Sequence, residues 1–592
     1  MTALLQSAIA AHQANNLGEA EKLYRDFLVA APDHADALAL LALVRGALGD
    51  HEEAIALAEK AVRIDPNAAL LRFHQATVLM NAKKLPEAIA AFRHAVTLQP
   101  GFASAWYNLG NALRASNDWI GAIDAYRNAI QFKPDYVEAY NNLALTLSHE
   151  QKLDEALEEA KKSVAVAPNY GEGWRTICNI AEGVKNYPLA LQAGEQCIRL
   201  MPNSHFAWFG YGVALNRLDR HEEAIEAYKR ALTLKPDRAD IWDNLGQTYQ
   251  SLNRLDEAEV TFRKTLDVAG QVITDEDNRD VNEDEYGNRH WHLALMELLR
   301  GKYPQGFARY RARFKDVGGL KRPNYPVPLW KGENLSGRTI LICDEQGFGD
   351  TIMLARYLLI LKAQGTYIIF SVHPVLEKLF MDSGLADQII THGTKIPPCD
   401  YHASVFDLPH RLKTTLETIP SHTPYIQVPA MNAAHKLETN GRKKIGVVWG
   451  GSGLHGNDVR RSIPLKIFEH IFAVPNVQFY SFNRDLKAGD TERLRHLPII
   501  NLVPRINDFA DAAQFIAQMD AVITCDTATA HLAGALGKTL WVLLPFAPDW
   551  RWLTGRSDSP WYPTARLFRQ PCVGDWDGVM EEVKNNLQRM AD

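Results

Sequence analysis

At 592 residues the chain is too long for one hydrophobic core, and the length implies about three or four domain-sized units. A net charge of −6 and a pI near 6.4 leave no basic field for nucleic acid or an anionic membrane, and 46% apolar with 23% charged residues is the balance of a soluble globular protein. No apolar run reaches the ~20 residues of a membrane span, and the first residues lack the basic-then-apolar order of a signal peptide. The six cysteines (Cys178, Cys197, Cys343, Cys399, Cys525, Cys572) are scattered without metal-ligand spacing, which predicts a reduced, cytoplasmic protein.

In chain order, the first feature is a period. Prolines recur at Pro32, Pro66, Pro100, Pro134, Pro168, Pro202 and Pro236, a constant step of 34. Ala20, Ala54, Ala88, Ala122, Ala156, Ala190, Ala224 and Ala258 keep the same step, and Tyr24, Phe92, Tyr126, Tyr228 and Phe262 follow four positions behind. Trp106, Trp174, Trp208 and Trp242 recur earlier in their units, with Gly110, Gly212 and Gly246 four residues on. The pattern predicts helix-turn-helix units over residues 1–272. Small residues let two helices approach, aromatics fill the hole of the next unit, and proline ends the second helix. The pattern resembles the tetratricopeptide repeat. Asn108, Asn142 and Asn244 hold one position of their units, where the side-chain amide can bind a peptide backbone through donor and acceptor; they are the candidate acceptor-binding residues, with solvated packing residues the plainer alternative.

Residues 273–337 break the period: an acidic stretch, Thr274 to Asn288, then a degenerate ninth unit through Trp291 to Phe314, then a basic, proline-containing linker. Asp275-Glu276-Asp277 spells a metal-binding triplet of another transferase fold, but in an acidic loop rather than at a strand end, so no metal site is expected.

From residue 338 the pattern alternates strand and helix. Arg338 to Gln346 reads as a strand, Gly347-Phe348-Gly349-Asp350 as a turn, and Thr351 to Gly365 as one helix, with two further strands before residue 430. The alternation restarts over 441–592: a strand into Trp449-Gly450-Gly451, further strands and helices, then Ile523 to Phe546, where a strand, the polar turn Asp526-Thr527-Ala528-Thr529-Ala530-His531, a helix and another strand follow in order, before a closing helix. Two α/β halves make a cleft at their strand C-termini. Strand, polar turn and helix present backbone N–H groups and a positive helix end to an anion, here a phosphate. Thr527 and Thr529 add hydroxyls, His531 a donor or a charge, and the small Ala528, Ala530 and Ala533 give a ligand access to the backbone; the plain alternative is a helix N-cap by Asp526 or Thr527. Gly347-Phe348-Gly349 lacks the third glycine of a dinucleotide fingerprint.

Gly349-Asp350 and the run Asp526 to Ala533 resemble the motifs of heptosyltransferase-type enzymes with the GT-B fold, with Ala528 standing where that family has glycine and Arg356 where proline is usual. By that resemblance Ala528 leaves less room at the phosphate and Arg356 implies a different acceptor or partner surface. Repeats plus this half resemble bacterial protein glycosyltransferases, including those acting on flagellin, and the layout is similar to O-GlcNAc transferase. The fold class expected is thus an α-solenoid followed by two Rossmann-like halves, 338–430 and 441–592.

Transfer from an activated sugar needs a base for the acceptor hydroxyl and fixed donors or cations for the leaving phosphate. Asp350 is the candidate base, Arg460 and Arg461 candidate phosphate ligands, and Trp449, Asp549, Trp550 and Arg551 candidate donor-pocket walls, the aromatics being equally suited to packing between the halves. The reading is an inverting, metal-independent glycosyltransferase that takes a nucleotide sugar, needs no cofactor and O-glycosylates a protein chosen by the repeats, with flagellin suggested by the resemblance alone. A transferase acting on a glycan or lipid-linked saccharide, and a scaffold with a degenerate nucleotide fold, stand as alternatives. Sugar, nucleotide and oligomeric state have no signal in the sequence.

Overall fold

The computed structural model describes residues 2–270, 290–316, 323, 325–438, 441–451 and 458–592. The acidic stretch 274–288, with Asp275-Glu276-Asp277, lies outside the described residues. The chain divides into two compact units, Met1–Pro236 and Asp237–Asp592.

The first unit is an α-solenoid of paired helices from Thr2–Gln13 to His221–Leu234. Its period has a backbone cause. Asn15, Gly49, Lys83, Asn117, Gln151, Lys185 and Asp219, again 34 apart, all have positive φ in the turn inside each pair, ending each first helix with a left-handed residue. The small alanines Ala20 through Ala224 are fully buried. The aromatics fill a hole in their own unit, not the next: a Cβ on Gly110 would lie 2.6 Å from the Tyr126 ring, and one on Gly212 2.7 Å from Tyr228. Trp106, Trp174 and Trp208 each donate Nε1–H to the carbonyl of the proline six residues earlier, at 2.8 Å, satisfying a carbonyl freed where that proline stops the preceding helix.

The 34-residue period outlasts this unit. The helix pair Ala239–Ser251 and Leu255–Val268 belongs to the second unit, so the end of the period near 272 and the end of the first compact unit at 236 are different boundaries. Two more helices follow, His290–Leu299 and Tyr303–Arg309, continued by a tight turn over Tyr310–Ala312 and a last helical turn Arg313–Asp316.

Two parallel sheets complete the second unit. Strands β1 (Thr339–Cys343), β2 (Tyr367–Val372), β3 (Gln388–Thr391) and β4 (Tyr401–Ser404) form the first, in the order β3-β2-β1-β4. Strands β5 (Lys443–Val448), β6 (Val477–Ser481), β7 (Ile499–Asn501), β8 (Ala521–Cys525), β9 (Leu540–Leu544) and β10 (Ala565–Arg569) form the second, in the order β10-β9-β8-β5-β6-β7. Each order reverses beside its first strand, between β1 and β4 and between β5 and β8, and such switch points open crevices at the strand C-termini. One hydrophobic core runs through Leu298 and Phe307 of the late helices, Ile340 and Ile342 of β1, and Val522 and Val542 of the second sheet. The late helices are therefore part of the α/β body's core. The closing helix Trp576–Ala591 packs Val579 and Val583 on the far face of the second sheet.

The single helix expected over 351–365 is instead broken into Phe348–Leu354, a tight turn at Ala355–Tyr357, and Leu358–Ala363. Arg356 explains the break. Its guanidinium is fully buried and donates to the carbonyls of Met353 (2.8 Å), Pro420 (3.3 Å) and Trp561 and to the Tyr425 hydroxyl (3.1 Å). It is an internal tie between the halves, which corrects the expectation of a partner surface at this position.

Candidate functional site

A cavity of about 980 Å³ opens within the second unit, at the strand ends of both sheets. Its walls bring together Gly347, Gly349 and Asp350 from the turn after β1, Gly450, Gly451 and Arg461 after β5, Asp526 to Thr529 and His531 after β8, and Asp549 to Arg551 after β9. Asp350 and Arg551 thus meet although about 200 positions apart in the chain, because both turns leave strand C-termini that face one another.

Two helix N-termini meet here. A Cβ on Gly349 would lie 2.6 Å from His531 Cδ2 and 3.2 Å from Ala528 Cα, so only glycine allows the Phe348–Leu354 helix to seat against the Ala528–Ala535 helix. The buried Ala530 and Ala533 serve the packing of this helix within the core. They were expected to open the backbone to a ligand, and their burial corrects that.

The Ala528–Ala535 helix starts without a side-chain cap. Thr527 occupies the N-cap position, but its hydroxyl pairs with the Thr524 hydroxyl at 3.0 Å. The plain N-cap alternative is therefore absent, and the first-turn N–H groups of Ala528 and Thr529 face the cavity side with the positive end of the helix. Arg461 lies across this switch point. It donates Nη1–H to the Asp526 carbonyl at 3.0 Å, and its Nε is 3.4 Å from Asp458. The Arg461 guanidinium lies directly over Gly451, so a side chain at 451 would displace it. The backbone N–H groups of this turn are engaged elsewhere: Gly450 donates to Asn483 Oδ1 (2.8 Å) and Gly451 to the Ser462 hydroxyl (3.2 Å). Gly450 and Gly451 thus supply room for Arg461 rather than donors.

His531 carries no charge here. Burial, with Arg551 and Arg356 nearby, holds its imidazole well below its usual pKa; Nδ1 pairs with the Tyr562 hydroxyl at 2.9 Å and the ring stacks on Trp552. Its 3.9 Å contact with Asp526 is accordingly not a charge pair. Asp526 has the opposite problem. Burial, reinforced by Asp549 and opposed by Arg551, pushes its carboxyl up to about 6.

That shift carries a sign. The folded protein holds the Asp526 proton at pH values where the unfolded chain has lost it, so this group's stabilisation is complete below about pH 4 and is lost as pH rises through about 6. Asp526→Asn should remove that dependence, a difference on the order of 2–3 kcal/mol across the window. Melting temperatures of both proteins from pH 4.5 to 8 test it. Glu297, pushed up to about 7 by burial, titrates in the same direction but is present in both and cancels. Parallel pH profiles would rule out a buried, protonating Asp526.

Asp350 sits at the other wall. One carboxylate oxygen accepts the Gly347 N–H at 3.2 Å, and the other pairs with Arg551, which also bonds Asp549 Oδ1 at 2.6 Å. Burial raises the carboxyl above the ordinary aspartate value, with Arg551 opposing. Neither preceding acid can replace it. Glu345 is held by Arg313 Nη2 at 2.8 Å, and Asp344 accepts the His373 N–H at 2.8 Å; neither lines the cavity.

Five expected residues lie outside the cavity. Trp449 is core, packed on Phe468. Arg460 points away from the cavity and donates to the Ser251 hydroxyl at 2.8 Å. The asparagine amides bond their own or a neighbouring helix: Asn108 donates to the Ser104 carbonyl (2.9 Å), Asn142 to Asn111 Oδ1 (3.0 Å), and Asn244 to the Asp240 carbonyl (2.9 Å). Asn142 thus spends both amide N–H groups, the second on the Tyr107 hydroxyl (3.1 Å), whereas Asn108 and Asn244 each spend one. Trp550 both lines the cavity and packs against Phe307 and Trp561.

Other wall residues carry no sequence signal. Arg484 and Asp485 follow β6, and Asn507 and Asp508 precede the Phe509–Ala517 helix. Trp291, Leu295 and Tyr310 come from the late helices, whose last turn also fills the crevice beside β1 and β4: Arg313, fully buried, reaches Glu345 and Asp407 (3.2 Å), and Tyr310 stacks on Phe406. Among the described residues no group of three or more His, Cys, Asp or Glu is placed to hold a metal ion, and no helix is long and apolar enough to cross a membrane.

Tetratricopeptide-repeat families match residues 5–69, 110–148, 137–170, 212–253 and 239–271, and glycosyltransferase family 9 (heptosyltransferase) matches residues 479–543, from β6 through the Asp526 turn to β9. The chain combines tetratricopeptide repeats with a segment that is similar to glycosyltransferase family 9. Protein FlbA of Caulobacter vibrioides is 28% identical over 338 residues, covering 50% of this chain and 56% of FlbA, so the chain spans little more than half the length of that relative. Among solved structures, MamA is 24% identical over 27% of this chain and 93% of its own, with a TM-score of 0.25. YrrB, a repeat protein with an unusual peptide-binding site, is 21% identical over 30% and 93%, with a TM-score of 0.28. The C-terminal part of a repeat protein from Cytophaga hutchinsonii is 16% identical over 41% and 99%, with a TM-score of 0.35.

Proposed function

We propose that the protein is a nucleotide-sugar-dependent, inverting glycosyltransferase of GT-B type that O-glycosylates a protein chosen by its repeats. The observation that carries this is the seating of Gly349 on Ala528, which sets a carboxylate, Asp350, beside an uncapped helix end and Arg461 in one cavity. The glycosyltransferase family 9 match covers the phosphate side of that cavity. The acceptor hydroxyl attacks the anomeric carbon as the bond to the nucleotide phosphate breaks. Its proton passes to the Asp350 carboxylate, and the growing phosphate charge is met by the Ala528 and Thr529 N–H groups and Arg461. A single displacement inverts the anomeric centre. The likeness of the whole chain to bacterial flagellin glycosyltransferases makes flagellin the acceptor to try first.

The experiment is a thermal-shift panel of UDP-, GDP-, ADP- and CMP-sugars on the whole protein, followed by intact-mass analysis of proteins from cells with and without it. Arg461→Ala should keep the fold and the repeat-mediated capture of the acceptor. It should weaken donor use about ten- to hundredfold, the cost of one charge-assisted contact. No stabilisation by any nucleotide sugar, or unchanged turnover in folded Arg461→Ala, would count against the reading.

A further inference from the structure

We infer that Trp291, carried by the late helix His290–Leu299, is the platform on which the transferred sugar ring lies. This rests on the transferase reading and adds the residue that recognises the sugar.

Trp291 and Leu295 stand one turn apart on the same helix, both partly exposed and both lining the cavity. The indole packs on Tyr310 with ring centres 4.7 Å apart. Tyr310 is buried and fixed twice, by stacking on Phe406 at 5.0 Å and by donating its hydroxyl to Gln346 Oε1 at 3.1 Å. Gln346 has φ +63, left-handed for a side chain that is not glycine, and it leads directly into Gly347 and Asp350. The contacts Trp291, Tyr310, Gln346, Gly347 and Asp350 therefore run from the platform to the proposed base. On the same wall Arg551 bridges Asp350 and Asp549 and lies over Trp550.

An aromatic face beside a carboxylate, a guanidinium and an amide is complementary to a pyranose. The sugar's C–H edges meet the negative π face, and its hydroxyls meet the polar rim. The ring attached to a phosphate at the Ala528 helix must lie between that helix and Asp350 for transfer to occur, and Trp291 borders the Asp350 side. A second apolar patch, Phe348 against Phe509 at 5.5 Å with Val375 and Ile506, lines the same cavity and leaves a separate place for a nucleobase.

The test compares Trp291→Ala and Trp291→Phe in the whole protein, by calorimetry, with the best-binding nucleotide sugar of the panel and with its bare nucleotide. In Trp291→Ala the nucleotide sugar should bind about tenfold more weakly while the bare nucleotide is unchanged, the loss expected for an aromatic stacking contact. Trp291→Phe should recover most of it. Equal weakening of both ligands would place the nucleobase, not the sugar, on Trp291, and no weakening of either would remove it from the site; both overturn the platform. A panel in which no nucleotide sugar binds sinks the transferase reading itself, and the platform with it.

Discussion

Asp350→Asn leaves a folded protein that binds its nucleotide sugar and transfers about 10²–10⁴ times more slowly, the usual loss for a positioned base. Asparagine keeps the shape, still accepts the Gly347 N–H and still caps the Phe348–Leu354 helix, so the turn should hold. What it loses is basicity and the charge that Arg551 faces. Burial makes the Asp350 carboxyl a better base than a solvated aspartate, and Arg551 keeps it ionised enough to act. Asp549 bonds the same guanidinium, so Arg551 retains a carboxylate partner when Asp350 is neutralised and the wall stays in place. Single-turnover transfer with saturating donor is the measurement. A folded Asp350→Asn enzyme with near-normal rate would end the assignment. The neighbouring acids offer no refuge, since Glu345 and Asp344 are held outside the cavity by Arg313 and the His373 N–H.

How far this site could be read from the sequence depended on range. Local rules sufficed for the repeats, where one period fixes alanine, aromatic and turn, and for strands with long apolar runs such as β1 and β8. They failed for β4, a four-residue strand Tyr401–Ser404 with two polar side chains, and for β7, a three-residue edge strand, because neither is long enough for a periodicity to register. They failed for β10, where Arg566 and Arg569 give the segment a polar surface. The helix after Asp350 looked continuous because nothing local says that Arg356 is buried. In the cavity the residues on turns after strands were legible, since fold class alone sends strand ends to the cleft. Trp449 was not, because one residue's shift along a strand end turns a side chain from cleft to core. Trp291 and Tyr310 were invisible for a different reason: they belong by pattern to a fading repeat and by packing to the α/β body, and only the tertiary contact decides between them.

Arg356→Met is the substitution expected to cost most stability. The guanidinium donates to three carbonyls and the Tyr425 hydroxyl, and lies 4.6 Å from the centre of the Tyr425 ring, 4.7 Å from Tyr562 and 5.5 Å from Trp561. Met fills similar volume but donates nothing, so several buried acceptors lose their partner at once. At about 1–3 kcal/mol for each group left unsatisfied, part of it recovered by relaxation, the loss should be about 3–5 kcal/mol. Arg356→Lys keeps a charge but not the planar fork, and should fall between. The measurement is the denaturant midpoint of the transition reported by the second unit, read separately from the repeat array because the two units need not unfold together. The consequence for the site runs through Tyr562, whose ring faces Arg356 and whose hydroxyl holds His531 Nδ1, and His531 in turn packs against Gly349. Arg356 touches no part of the cavity, so a folded Arg356→Met protein should bind donor normally at low temperature and lose binding and fold together on warming. An unchanged midpoint would mean that the carbonyls find water or that the halves are held by their apolar core alone. Loss of donor binding in a protein that remains fully folded would mean instead that Arg356 acts on the site directly, which its burial between Met353, Pro420 and Trp561 argues against.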